Sequence, residues 1–593
     1  MRKAVVVVST VLIWAGSVAA QAPAPPIIDD KVPPPSNDYA LGPDSLPHPD
    51  VPAGKTFKFD MSDSKSFPGT VRTITVYVPA EYQPAKPACV YVGLDGLGFR
   101  VNTVFDNLIA QHAMPVTIAV GVSSGTVNSA KPPQNPRFDR SFEFDSVTDR
   151  LARFLIDEVL PAVEQHTTPD GKRIVLSTNP NDRAIGGGST GGIGAFTVAW
   201  ERPDAFRRVF TAIGTFVGMR GGERFYVLVR KTEPKPLRVF MQDGVHDEWP
   251  GGPEMGDWWM SNQTMERALD FAGYDVRHVW GAGTHNGKQA ESVFPDAMRW
   301  LWRDYPHAIE AAEPGNPALK TILEPHEGWQ IAADGCGAAA SLASNSKGEI
   351  FVPESGDRLS PIAGKCPQSI QGGVLAFGSK GQAYYAGAAP GIAAPGIKVY
   401  GDGATPKVIA RGLQAASMTV RDNGDVYLTT RTGEVWMVHA NGDKVQLDKG
   451  LNGPSGIAFS PDGLWLFVAQ SRSRWGYSYR VHPDGTLDAK EPFYDFWVPD
   501  SADDSGAGAV WMDRAGLAYV ATRIGVQVFD RNGRVVAVLP LPGSEPVTSI
   551  CFGGKDFNTL YVLSGGKIYK RKLHSMGAPP WNPAIELPKW GAG

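Results

Sequence analysis

Four cysteines in 593 residues are too few for a disulfide framework, so this chain cannot be a small-core protein stapled by cross-links. Cys89 and Cys551 lie in apolar, strand-like runs and read as buried thiols. Cys336 and Cys366 sit in glycine-containing loops and are free to pair in an oxidising compartment. None has metal-ligand spacing, and no cofactor is expected. Long basic runs are also missing, and the net charge is only −4. That excludes the electrostatic footprint of a nucleic-acid or anionic-membrane binder. After the first twenty residues no apolar run is long enough to read as a membrane span, so no membrane partner is expected once that segment is cleaved. Disorder is excluded by an apolar content of 42%, and the length exceeds what one core accommodates.

What is present begins with an export signal over 1–20. Arg2 and Lys3 precede an apolar run from Ala4 to about Ala15, and Val18-Ala19-Ala20 gives a small-residue cleavage site. The expected location is the periplasm or the medium. Residues 21–51 hold nine prolines and read as an extended, poorly ordered leader. From 52 to 306, β-branched strands alternate with amphipathic helices. The strands are Val71–Val78, Cys89–Leu94, Val116–Val122, Ala184–Gly187, Arg208–Ile213, Leu237–Gln242 and Val276–Trp280. This alternation predicts a mostly parallel sheet covered by helices. Residues 307–329 read as a linker.

From 330 to 575 helical periodicity stops and a glycine turn followed by an alternating strand recurs. The copies begin at Ser346, Ser379, Asp422, Pro461, Arg514 and, in degenerate form, Asp556. A repeat of about forty residues matches one four-stranded propeller blade, so six copies predict six blades. Residues 576–593 read as a tail.

The chemistry concentrates in Gly187-Gly188-Ser189-Thr190-Gly191, a G-x-S-x-G turn between a predicted strand and helix. Such a turn exposes the serine, and the helix N-terminus behind it favours developing negative charge. A serine hydroxyl needs a base, and His285, in the loop after the last strand, is the expected one. The acid should follow the strand ending at Gln242. Asp247 is chosen because it lies beyond the turn, with Asp243 or Glu248 as alternatives. Oxyanion donors are expected from the amides of Thr190 and Gly96, the latter because glycine permits close backbone approach. Trp249, Trp258 and Trp259 cluster after the acid. Trp249 and Trp258 are candidate substrate contacts, unless Trp258 and Trp259 instead pack a helix onto the sheet. Arg140 and Glu143 are candidate substrate contacts or a structural ion pair.

These residues carry a resemblance. With Leu94-Asp95-Gly96, Arg140–Asp145, Gln242-Asp243-Gly244 and Pro295–Trp302, the stretch 70–306 resembles the enterochelin-esterase-like, or esterase D, branch of carbohydrate esterase family one. The resemblance implies an α/β-hydrolase fold and hydrolysis of esters of siderophores, acylated sugars or feruloylated glycans. Thr284 departs from the glycine that relatives often carry before the histidine. Gly453–Gly463 makes 330–573 resemble the gluconolactonase and regucalcin propellers, whose enzymes hold one divalent metal with Glu, Asn, Asn and Asp. The corresponding positions here are Ala416, Ser455, Gly508 and the neighbourhood of Ala340, so no metal is expected. The reading is therefore a serine esterase joined to an accessory propeller, acting on a small-molecule or glycan ester. The alternative is a sugar lactonase with the propeller as active domain.

Overall fold

The computed structural model describes residues 34–589, apart from 132–134, 338, 340, 355–358, 360, 368–371, 388–395, 402–405 and 543–544. The export signal and the Ala340 position lie outside the described residues.

The first domain is built on one ten-stranded sheet. Its parallel strands run, in spatial order, Asp275–Gly281, Arg238–Gly244, Arg208–Ala212, Arg183–Gly188, Cys89–Leu94 and Thr117–Val122. Thr70–Val78 follows antiparallel, and Lys55–Met61 pairs with it antiparallel in turn. Each expected strand is present within a residue or two. The near-continuous burial of Cys89–Leu94 and Thr117–Val122 shows why: strands covered on both faces select apolar side chains throughout. Helices Val101–Ala110 and Lys288–Trp302 pack one face. Thr190–Glu201 and Trp258–Ala272 pack the other. The chain order reverses between Cys89–Leu94 and Arg183–Gly188. In an open parallel sheet, the crevice at the carboxyl ends of such a pair is where ligands bind, and the G-x-S-x-G turn leaves from this point.

The described part of the leader, residues 34–51, and the linker are both tied to the domains. Ser36 N donates to Ala282 O, and Asn37 bonds Thr284 through both its amide nitrogen and its oxygen, each at 3.1 Å. The described part of the proline-rich leader thus clasps the loop that carries His285, and the hydroxyl of Thr284 is used in that clasp. Within 307–329, Pro317–Ile322 is helical with Leu319 and Ile322 buried. Asn316 donates to Arg230 O and to Val536 O, each at 2.9 Å, so this stretch touches both domains. Glu233 adds a fork-to-fork pair with Arg571 at 2.6 and 2.7 Å.

The second domain is a propeller. Every repeated turn joins the first and second strands of a sheet, as between Val420 and Val426 or Phe459 and Trp465. Glycines 348, 381, 424, 463 and 516 hold φ between +72° and +87° there. That is the left-handed region glycine enters without cost, and in the degenerate copy Phe557 takes φ +54° instead. The expectation of six four-stranded blades is corrected. Among the described residues of this domain there are five sheets of four or more strands, and at the first copy only the pair Ala343–Ser344 with Ile350–Phe351. Pro353, Pro361, Gly364 and Pro367 follow that pair, and proline cannot donate to a ladder. The last blade is closed by Gln330–Asp334, which pairs antiparallel with Lys567–Lys572. Cys336 and Cys366 are disulfide-bonded at this closure. Trp581, from the expected tail, is 5% exposed within the propeller core.

Candidate active site

Ser189 sits between strand Arg183–Gly188 and helix Thr190–Glu201 with φ +56° and ψ −123°. That is a strained conformation for a residue with a side chain, and such strain concentrates at functional positions. Neighbouring backbone holds it there: Ser189 N donates to Ala212 O at 2.8 Å, and Ser189 O accepts from Gly192 N and Thr215 N. A Cβ on Gly187 would come within 2.6 Å of the Gly191 carbonyl, so the strand and helix can approach this closely only with glycine.

Outward from this turn the side chains form a relay. His285 Nε2 lies 2.8 Å from Ser189 Oγ, and His285 Nδ1 lies 2.8 Å from both carboxylate oxygens of Asp247. Asp247 is buried and its side chain is fully shielded, whereas the His285 side chain retains 23% exposure. A buried carboxylate of this kind fixes which ring nitrogen carries the proton and stabilises the imidazolium. Of the two alternative acids, Glu248 is exposed. Asp243 is wholly buried and accepts from Gly244 N at 2.7 Å.

Thr190 is the first residue of its helix, where amides have no intrahelical acceptor. The Asp95–Phe99 loop lies alongside, since a Cβ on Gly191 would sit 3.2 Å from Asp95 Oδ2. Gly96 holds φ +95°, and a Cβ there would meet nothing within 4 Å. Backbone conformation, not crowding, is therefore what requires glycine at 96. The crowding falls on Gly121, where a Cβ would meet Gly96 C and Leu97 N at 2.8 Å.

Two expected substrate contacts are corrected. Glu143 does not face the site. Its side chain and that of Arg72 are fully buried and paired, with both Glu143 oxygens 2.7 Å from the guanidinium. Arg72 also stacks on Phe154 at 4.3 Å. Burial of both charges is tolerable only because each is paired and hydrogen-bonded. Glu143→Gln should therefore lower stability by about 3–5 kcal/mol, the cost of stranding a buried guanidinium. Chemical denaturation of the variant checks this, and a loss below about 1 kcal/mol would contradict it. Trp258 is 3% exposed and lies behind the relay. Its ring packs edge-on against His285 at 5.6 Å, and its N–H donates to Thr215 Oγ1 at 3.2 Å. Thr215 Oγ1 is itself 3.4 Å from Ser189 Oγ. Neither Thr215 nor its bond to Trp258 had a signal in the sequence, because a lone threonine in a loop has no pattern around it. Trp249 remains 57% exposed. Arg140 grips Asp95 with two bonds of 2.9 and 2.6 Å, beside the serine turn.

The propeller channel is lined by small, hydroxylic and apolar side chains, among them Ser344, Ala376, Ala416, Ser455, Ala458, Ala509 and Ser549. Ala578, Pro580 and Trp581 close part of a cavity of about 90 Å³ there. Ser455 Oγ donates to Ala507 O, so this position offers only one neutral hydroxyl oxygen, tethered to the backbone. A Cβ on Gly508 would run into Thr548 O, so no aspartate fits there without backbone movement. Among the described residues no three His, Cys, Asp or Glu side chains converge as a metal site. The donor set thus does not fit the divalent cation of lactonase propellers.

Comparison with known proteins divides the chain in the same place. Residues 64–324 match the family model described as "Putative esterase", and 412–566 match the one described as "SMP-30/Gluconolactonase/LRE-like region". Pentonolactonase XacC of Haloferax volcanii is 26% identical over 142 residues, covering 23% of this chain and 46% of that protein. The 6-deoxy-6-sulfogluconolactonase of Pseudomonas putida is 30% identical over 112 residues, covering 18% and 37%. The chain thus spans less than half the length of these curated relatives. Among solved structures, the enterobactin esterase of Shigella flexneri is 18% identical, with TM-score 0.33 over 44% of this chain and 62% of that one.

Proposed function

With an esterase-family domain joined to an SMP-30/gluconolactonase-like propeller as the premise, we propose that the chain is an exported serine carboxylic-ester hydrolase of the α/β-hydrolase fold. The observation that carries this reading is the unbroken relay Ser189–His285–Asp247 at a strained strand–helix turn. In the proposed cycle His285 takes the Ser189 proton as Oγ attacks the ester carbonyl. The amides of Thr190 and Gly96 receive the developing oxyanion. His285 then protonates the leaving alcohol, and water releases the acyl group by the same route. Arg140, which holds Asp95 beside the serine turn, and the exposed Trp249 are the substrate contacts proposed. The substrate class is a small acylated sugar, feruloyl-type or siderophore-like ester. Export is supported by the Cys336–Cys366 bond, which belongs to an oxidising compartment.

The propeller is proposed to serve as an accessory binding module. The lactonase alternative requires a cation where Gly508, Ala416 and Ser455 offer at most one hydroxyl. One experiment separates the two readings. A fluorophosphonate should label Ser189 and abolish hydrolysis of aryl esters, and hydrolysis should survive exhaustive chelation. Label on another residue, or chelator-sensitive hydrolysis that persists after labelling, would overturn the proposal.

A further inference from the structure

A second carboxyl stands directly behind the relay. Asp243 lies one residue before the end of the strand Arg238–Gly244 with no exposed surface, and Asp247, four residues on, is 1% exposed. Asp243 Oδ1 accepts from Gly244 N, but Oδ2 has no hydrogen-bond partner, although the side chain lies against those of Asp247 and Asn262. Asn262 lies close enough to favour a charged Asp243 in part, but both of its amide hydrogens are already engaged. Its Nδ2 donates to Gly214 O at 2.8 Å and to Trp258 O at 3.0 Å, and its Oδ1 is likewise without a partner. Acceptors therefore face acceptors, in a buried space where an unsatisfied polar atom costs a large part of a hydrogen bond. Across the sheet the register neighbour of Asp243 is Trp280, which brings no charge. The charged group in contact is Asp247, with His285 beyond it. Two ionised carboxylates cannot share such a site with one imidazole opposite them.

We propose that Asp243 is held as a neutral carboxylic acid that donates its proton in a hydrogen bond to Asp247, which makes it a positioning residue for the relay. The proposal rests on the triad reading above. One proton supplies the donor that this group of oxygens lacks. Burial first, and then the charge of Asp247, push the Asp243 carboxyl well above the usual carboxylate range. Asp247 is the partner that stays ionised, because both of its oxygens meet His285 Nδ1. The donated bond restrains the Asp247 carboxylate. With Asp247 held against the ring, the proton stays on His285 Nδ1 and Nε2 is left free to accept from Ser189.

The test compares Asp243→Asn with Asp243→Ala on a neutral aryl ester across pH. An amide keeps the shape and donates a hydrogen as the neutral acid does. Asp243→Asn should therefore keep kcat within about 3-fold, whereas Asp243→Ala should lower it about 10- to 100-fold at little change in KM, the loss expected for one hydrogen bond to a charged group. The acidic limb of kcat/KM should stay in place in Asp243→Asn. A limb displaced by about a unit or more to lower pH would mean that the substitution removed a buried anion, and would overturn the proposal. Equal activity of the two variants would overturn it as well. A measurement independent of turnover is the infrared carbonyl stretch of a protonated carboxyl, expected in the parent protein at neutral pH and lost in Asp243→Asn. Its absence from the parent would refute the neutral acid. If instead the triad reading fails, Ser189 escapes labelling while this band remains.

Discussion

Ser189→Ala should lower kcat for ester hydrolysis by roughly 10⁴- to 10⁶-fold, about 5–8 kcal/mol of transition-state stabilisation, with KM nearly unchanged. The size follows from how the groups depend on one another. Without the hydroxyl, His285 has no proton to take and Asp247 no imidazolium to stabilise, so one deletion removes the function of all three. What survives is the proposed oxyanion site and substrate binding, neither of which needs the side chain. The variant should also fold normally. Ser189 is fixed through its main chain, by the bonds to Ala212 O and from Gly192 N and Thr215 N, and its hydroxyl meets only His285 and Thr215. Stopped-point assays with an aryl ester, alongside thermal unfolding, check both halves. Activity within 10-fold of the parent would show that another nucleophile does the chemistry.

Much of this architecture was legible because it rests on short-range patterns. Strands buried on both faces must be apolar throughout. Glycine marks the repeated propeller turns through positive φ and the serine turn through the close approach of strand and helix at Gly187. Where the pattern is diluted, the reading fell short. Lys55–Met61 carries Phe57, Phe59 and Met61 in alternation, but Thr56, Lys58 and Asp60 on the opposite face and Lys55 at its start mask it. The first propeller copy has its turn yet lacks the β-branched runs that would extend it past a hairpin. Long-range partnerships left no trace at all. Nothing near Glu143 announces Arg72, seventy-one residues earlier, and nothing near Thr284 announces Asn37. Of the candidate site residues, those fixed by chain order within the fold came together, Ser189, His285 and Asp247. Glu143 and Trp258 were chosen for side-chain type near the site, and it is burial, invisible in a single sequence, that removes them from the substrate face.

Asp247→Asn should lower kcat about 10⁴-fold while leaving the fold and KM close to those of the parent. The substitution keeps size and planarity at a buried position, so packing changes little. The charge and the proton placement change completely. If the amide oxygen accepts from His285 Nδ1–H, the imidazolium formed during attack faces a neutral group and loses its counter-charge. If the amide nitrogen donates to Nδ1, the ring is forced to carry its proton on Nε2. That hydrogen then points at Ser189 Oγ, 2.8 Å away, and Nε2 can no longer receive the serine proton. Both arrangements stop the same step, so the loss does not depend on which one the amide adopts. The neighbouring carboxyl at 243 cannot substitute, since the ring nitrogen is already met by Asp247 and Asp243 Oδ1 is engaged by Gly244 N. Single-turnover rates for the two proteins decide the matter. A loss smaller than about 10-fold in Asp247→Asn, together with a large loss in Asp243→Asn, would transfer the acid role to Asp243 and overturn the order of the relay described here.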